Sequence, residues 1–175
     1  LLEAKKAGYD IDAGMLDNTL EHLVYRLKNK QTIPYYYNGN QNKKIAPKEV
    51  AYSLYVLALA GKPQVSMMNY YKQNEQLLAL DSRFLLSAAY ALAGDRARFN
   101  ELLPGSFAGE AAVKETGGSM ASEIRDEAIA LNALLEVQPD HPQVGIMAKH
   151  LSAQVKGKPY LSTQERAFTF LALGK

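Results

Sequence analysis

SEIRDEAIALNALLEV, running from Ser122 to Val137, is the stretch from which the fold can be read. It opens polar, with Ser122, Glu123, Arg125, Asp126 and Glu127, and then turns apolar. Leu131, Leu134 and Leu135 fall on one face of a helix, while Ala128, Ala130 and Ala133 cover much of the rest. A helix with apolar or small side chains on nearly every side cannot face water, so neighbours are expected all round it. Three other segments share that character: EVAYSLYVLALAG (49–61), RFLLSAAYALAG (83–94) and QERAFTFLALG (164–174). Between them lie segments with a clear wet side. The alternation of buried and amphipathic helices organises the chain.

At 175 residues the chain is long enough to build a proper core. Nearly half of it is hydrophobic, yet no apolar run reaches membrane-spanning length. Net charge is +2, with Lys and Arg interspersed among Asp and Glu. The basic stripe of a nucleic-acid binder is therefore missing, and no nucleic-acid partner is expected. The lack of Cys excludes disulfides, thiolate metal sites and a cysteine nucleophile within these residues. The opening LLEAKKAGY reads as the last turns of a helix whose start is missing, as if cut from a larger protein.

In chain order, residues 1–7 finish a helix that Gly8 caps, and Asp10 or Asp12 caps the next. That helix, about 14–29, carries Leu16, Leu20, Leu23, Val24 and Leu27 at helical spacing. In QTIPYYYNGNQNKKIAP (31–47), Tyr35, Tyr36 and Tyr37 could stack on a sugar or base. Aromatic-rich loops usually serve packing, so the expectation is that they lid helix ends or form a short strand leading into the Asn38-Gly39 turn. Pro47 is placed in the first turn of a helix 48–60 that ends at Gly61. Residues 64–78 are amphipathic through Val65, Met68 and Tyr71, with Leu77 and Leu78 continuing the apolar side after a break. Asp81 or Ser82 is expected to cap the next buried helix, which Gly94 closes, and Arg96 to Leu103 forms a short piece before Pro104. Residues 104–122 form a Gly-rich connection with room for a short hairpin around Gly117-Gly118. They lack the strand and Gly-Lys-Ser/Thr ending of a phosphate loop. Pro142 starts an amphipathic helix to about 156 with Val144, Met147, Leu151 and Val155. Ser162 and Glu165 have capping-box spacing before the last buried helix.

The repeat is thus an outer amphipathic helix, a turn and an inner apolar helix, recurring at uneven spacings of roughly 33–42 residues, within the range of helical repeats. The fold class expected is all-α. Ala-rich inner helices suit close parallel packing around a centre, which points to a partial α/α toroid. Periodicity alone leaves an open superhelix equally possible.

Candidate chemistry is sparse. His22, His141 and His150 lack metal-ligand spacing and read as structural. Glu123, Asp126, Glu127 and Glu165 sit at the starts of inner helices, where a toroidal glycoside hydrolase would place its acids. First-turn acids also favour the helix dipole and need no further reason to be there. Ser122 and Ser162 read as caps. No catalytic, cofactor-binding or metal residue is assigned, and no cofactor is expected.

Five strings in succession carry a family resemblance: LLEAKKAGYDI, EVAYSLYVLALAGKP, LDSRFLLSAAYALAGD, SEIRDEAIALNALLEVQPDHPQV and YLSTQERAFTFLALGK. The most specific parts are LLEAKKAGY, SEIRDEAI (122–129) and STQERAFTFLAL (162–173). Together they resemble the thioester-domain region of the bacterial alpha-2-macroglobulin family. The resemblance implies a single domain over 1–175, an incomplete α/α toroid belonging to a larger multidomain protein. That parent would be a protease inhibitor of the periplasm or cell envelope, often a lipoprotein, which traps target proteases. The family's Cys-x-Glu-Gln thioester is absent here; in the family it lies upstream of the stretch matching Leu1.

The first expectation is therefore a non-catalytic domain fragment of a protease trap. The alternatives are a toroidal polysaccharide hydrolase or lyase, which would need convergent acids in a cleft, and a helical-repeat scaffold that binds peptide. Missing first helices would leave apolar surface exposed near Leu1, so the fragment is expected to self-associate.

Overall fold

The computed structural model describes residues 1–113 and 122–175. Helix α1 (Leu2–Lys6) leads into α2 (Ala13–Leu27), a hairpin of β1 (Ile33–Tyr37) and β2 (Gln41–Ile45), then α3 (Lys48–Leu59) and α4 (Val65–Gln73). A single 3-10 turn, Glu75–Leu77, precedes α5 (Leu80–Leu92) and α6 (Arg96–Leu102). Helices α7 (Glu123–Val137), α8 (Pro142–Gly157) and α9 (Thr163–Leu173) complete the chain. The fold is mostly helical but not all-α, because residues 33–45 form an antiparallel pair. The strand alternative for the tyrosines is the one realised. Tyr35 and Ile45 turn inward against Ala79, while Pro34 and Tyr36 face out. Asn38 and Gly39 take positive φ at the turn. The Gly117-Gly118 hairpin lies outside the described residues.

Helices α3, α5, α7 and α9 pack in that order, each on the next. Helix α2 lies on α3, α4 and α6 lie on α5, and α8 lies on α7. Ion pairs from Lys48 to Asp81 and Asp126 and a hydrogen bond from Arg125 to Gln164 join the first turns of the inner helices to one another, so the four run parallel. An edge-on contact between Tyr52 of α3 and Phe168 of α9, with centroids 6.1 Å apart, brings the two ends of the row together. At the opposite end Glu136 of α7 receives both Lys6 and Lys175, which ties α1 and the tail after α9 beneath the row.

The glycine stops at Gly61 and Gly94 are realised as Schellman ends. After α5, Gly94 donates to Ala91 O and Asp95 to Tyr90 O, with Gly94 at φ +86°, a backbone region open mainly to glycine. Asp12, rather than Asp10, caps α2 by accepting the Met15 N–H at 2.6 Å. Two expectations are corrected. Neither Asp81 nor Ser82 caps α5: Ala79 holds the cap position, buried in the hairpin's core, and a distant carboxylate, Glu110, accepts the Leu80 N–H at 2.6 Å. Helix α9 is not buried all round. Only Glu165, Thr169 and Ala172 are buried in it, and Phe170 is 75% exposed, because α7 is its main neighbour and α3 meets it through Tyr52 against Phe168.

Candidate functional site

The four acids singled out in the sequence all fall on the rim where the inner helices begin. Ser122 caps α7 by accepting the Arg125 N–H. From that start, helical spacing turns Asp126 and Glu127 into the protein, 4% and 1% exposed, and leaves Glu123 in solvent. The Ser162–Glu165 capping box forms as read, with the Ser162 N–H donating to Glu165 Oε2 at 2.7 Å. The other oxygen, Oε1, accepts from Ser122 Oγ at 2.5 Å and from Lys158 Nζ at 2.6 Å. Glu165 therefore joins the first turn of α9 to that of α7. Burial alone would raise its pKa, but the bonds from Lys158, Ser122 and Ser162 prevail and hold it down at about 2.

Sequence reading missed the centre of the rim. Lys48, the first residue of α3, places its ammonium 2.6 Å from Asp126 Oδ2 and 3.1 Å from Asp81 Oδ1, linking α3 to both α5 and α7. Burial alone would make Lys48 less basic. The two carboxylates outweigh it and raise its pKa above the ordinary lysine range. Arg125 holds the other oxygen of Asp126 through Nε at 2.9 Å and Nη2 at 2.7 Å, and reaches Gln164 of α9 at 3.1 Å. Tyr35 of β1 lies below Lys48, 5.2 Å from ring centroid to Nζ, and burial pushes its phenol up. The signal was a lysine immediately after Pro47, opening a helix whose first turn ordinarily favours acids. Nothing in spacing shows that two aspartates 45 residues apart converge on it.

The remaining candidates separate. Glu127 bonds His150 Nδ1 at 2.8 Å across α7 and α8; burial raises its pKa and His150 pulls it partly back. His141 is the cap of α8, accepting the Gln143 N–H, and His22 is exposed on α2. Tyr35 and Tyr37 stack on each other at 5.6 Å with Lys43 over both, so their faces are taken.

What can this rim do chemically? Asp81 and Asp126 share one ammonium, but each is 4% exposed, and no sugar fits between them. A cavity of about 520 Å³ lies between the end of α2 and the start of α3, and Glu49, facing Arg26, is the one acid that lines it. A second hollow of about 310 Å³ carries Glu75 and Glu110, paired with Arg83 and Lys43 respectively. A glycosidase needs two carboxyls flanking a bond, one free to give a proton and one free to attack or activate water. Neither hollow offers that pair. Among the described residues no group of three or more His, Asp or Glu side chains is arranged to hold a metal.

The sequence matches no family model and no curated protein. Its fold does match solved structures. A Salmonella alpha-2-macroglobulin reacted with methylamine superposes with a TM-score of 0.74 at 23% identity, over 98% of this chain. The native conformation of an E. coli alpha-2-macroglobulin gives 0.73 at 24% identity, over 99% of this chain. In both cases the chain spans 11% of the matched chain's length. These residues thus have the fold of one segment of the bacterial alpha-2-macroglobulins.

Proposed function

We propose that this chain is a non-catalytic helical segment of a bacterial alpha-2-macroglobulin-like protease inhibitor, part of a protease trap in the periplasm or cell envelope. The observation that carries this reading is the agreement of fold over 98% of the chain with a segment of those proteins. Two features support it. The buried rim acids Asp81, Asp126 and Glu165 are tied into ion pairs that join helices, which suits a scaffold. The Tyr52–Phe168 contact between the ends of the inner row suits a toroid, the arrangement expected of a thioester-type domain. On this reading 1–175 is one incomplete domain of a lipoprotein parent. Its partners are the other domains of that parent and, through the whole protein, target proteases. The exposed apolar face of α9 would let the isolated chain self-associate. Among the described residues neither hollow gives the polysaccharide-enzyme alternative a free carboxyl pair, and no observation favours the peptide scaffold over the trap.

The test has two arms. The full-length protein containing this chain is mixed with a broad-specificity endopeptidase and followed for loss of activity on a protein substrate. The 175-residue chain alone is incubated with a polysaccharide panel and assayed for reducing ends. Inhibition in the first arm and none released in the second is the expected pair. Sugar release by the chain, or a full-length protein that leaves the endopeptidase untouched, would overturn the reading.

A further inference from the structure

We propose that Asp81 is a proton-binding site, and that the rim around it is a clasp between α3, α5 and α7 that holds more tightly in mildly acidic than in neutral solution. The inference stands on rim geometry and is independent of the inhibitor reading. Its basis is an unequal division of charge. Asp126 is met by Lys48 at 2.6 Å and by two nitrogens of Arg125. Asp81, equally buried, has among the described residues only the longer side of the same ammonium, at 3.1 Å.

Among the described residues, the charged and titratable groups facing Asp81 come from four elements. Lys48 comes from α3, Asp126 and Arg125 from α7, and Tyr35 from the hairpin. Glu110 comes from the connection after α6, where it caps Leu80 and pairs with Lys43 at 2.5 Å. Lys43 is thus committed to Glu110 and Arg125 to Asp126, which leaves Lys48 divided between two aspartates. The first-turn dipole of α5 favours an anion at Asp81, but it is a partial charge set against a full carboxylate and the loss of water. When two carboxylates share a buried site, one of them takes a proton more readily. Burial first, and Asp126 after it, raise Asp81 from 3.8 to about 6, with Lys48 opposing.

The sign follows from linkage. Opening the rim hydrates Asp81 and returns it to its ordinary value, so opening releases a proton. Stability from protonated Asp81 is whole below the ordinary value and is lost as pH rises through about 6. Between pH 5 and pH 7 this one group makes the unfolding constant rise by about tenfold.

Two measurements on this chain decide the matter. The Asp81 carboxyl carbon is titrated by NMR in the wild type and in Asp126→Asn, and urea unfolding is followed at pH 5 and pH 7 in the wild type and in Asp81→Asn. Asp81 should titrate near pH 6 and fall toward its ordinary range in Asp126→Asn, where Lys48 belongs to it alone. Asp81→Asn should lose about a tenfold share of the change in unfolding constant between the two pH values. A titration midpoint at or below pH 4 overturns the proposal, and so does an Asp81→Asn profile that parallels the wild type. Should Asp81→Asn fail to fold, the wild-type titration decides alone.

Discussion

Helices α7 and α9 read as close relatives in the sequence and end in opposite surroundings. Both open on a capped acidic turn, and both continue into Ala, Leu and aromatic or branched residues with no polar side. Helix α7 lies between α5, α8 and α9, and ten of its fifteen residues are buried. Helix α9 has α7 as its main neighbour and leaves Phe170, Leu171 and Leu173 in solvent. The lesson is about what an unsided helix can specify. A sided helix carries its own instruction about which face to bury; an unsided one takes its burial from the number of neighbours available.

The largest expected effect tests that directly. Leu131, fully buried in α7, should lose about 3 kcal/mol of folding stability on truncation to Ala, through lost transfer energy and the cavity left behind. Phe170→Ala in α9 should change stability by less than about 0.5 kcal/mol, since its ring already faces water. Urea unfolding of the two variants measures both. A comparable loss in each would mean that α9 is covered in solution and that the contrast between the helices is false.

A second, smaller effect sharpens the contrast at the helix starts. Glu165 and Glu123 both begin inner helices, but the buried Glu165 carboxylate accepts from three donors while Glu123 is exposed. Glu165→Gln should destabilise the fold by roughly 2 kcal/mol at neutral pH, allowing for the bonds an amide can keep. Its pKa in the fold is about 2 against an ordinary 4.5. The unfolded chain therefore takes up the proton first as acid is added. The stability that Glu165 contributes is whole above about pH 4.5 and is lost as pH falls toward 2. In Glu165→Gln this part of the acid limb should flatten, whereas Glu123→Gln should leave it unchanged. Equal acid limbs in the wild type and Glu165→Gln would remove Glu165 from the joint between α7 and α9. Asp81 has the opposite sign, so the two ends of the acid range report on different joints of one rim.

How much of this could be read in advance depends on how far apart the interacting residues are. Signals contained within one turn of chain were legible. The caps at Asp12, Ser122 and Ser162, the box partner Glu165 and the stops at Gly61 and Gly94 all form where the sequence puts them. Gly94→Ala should cost about 1 kcal/mol in thermal unfolding, because only the positive φ of that residue opposes a side chain and nothing crowds its Cβ. Signals that require two distant segments to meet were not legible. Glu110 capping α5 and Lys48 holding two aspartates depend on the hairpin, the 104–113 connection and three helices arriving together. The hairpin itself was half legible: alternation through Ile33, Tyr35 and Tyr37 and the Asn-Gly turn are local, while its docking on Ala79 is not.

The smallest expected effect on folding concerns what α9 exposes. Ala167 and Gly174 flank Phe170 along one side of the helix, giving a large side chain between small ones, with Arg166 one turn earlier in the helix. Apolar patches of more than a few hundred Å² are uncommon on monomers, and a ring exposed to this degree adds substantially to one. In isolation the chain should therefore sediment above its monomer mass of 19.3 kDa at micromolar concentration. Phe170→Ser should return it toward the monomer while shifting the urea midpoint hardly at all. That separation of readouts is the point of the experiment, because association through α9 needs its outward face and folding needs only the side that meets α7. A wild-type chain that sediments as a clean monomer would mean that the α9 face is too small or too curved to hold a second copy. The contrast with α7 would then rest on burial within the fold alone.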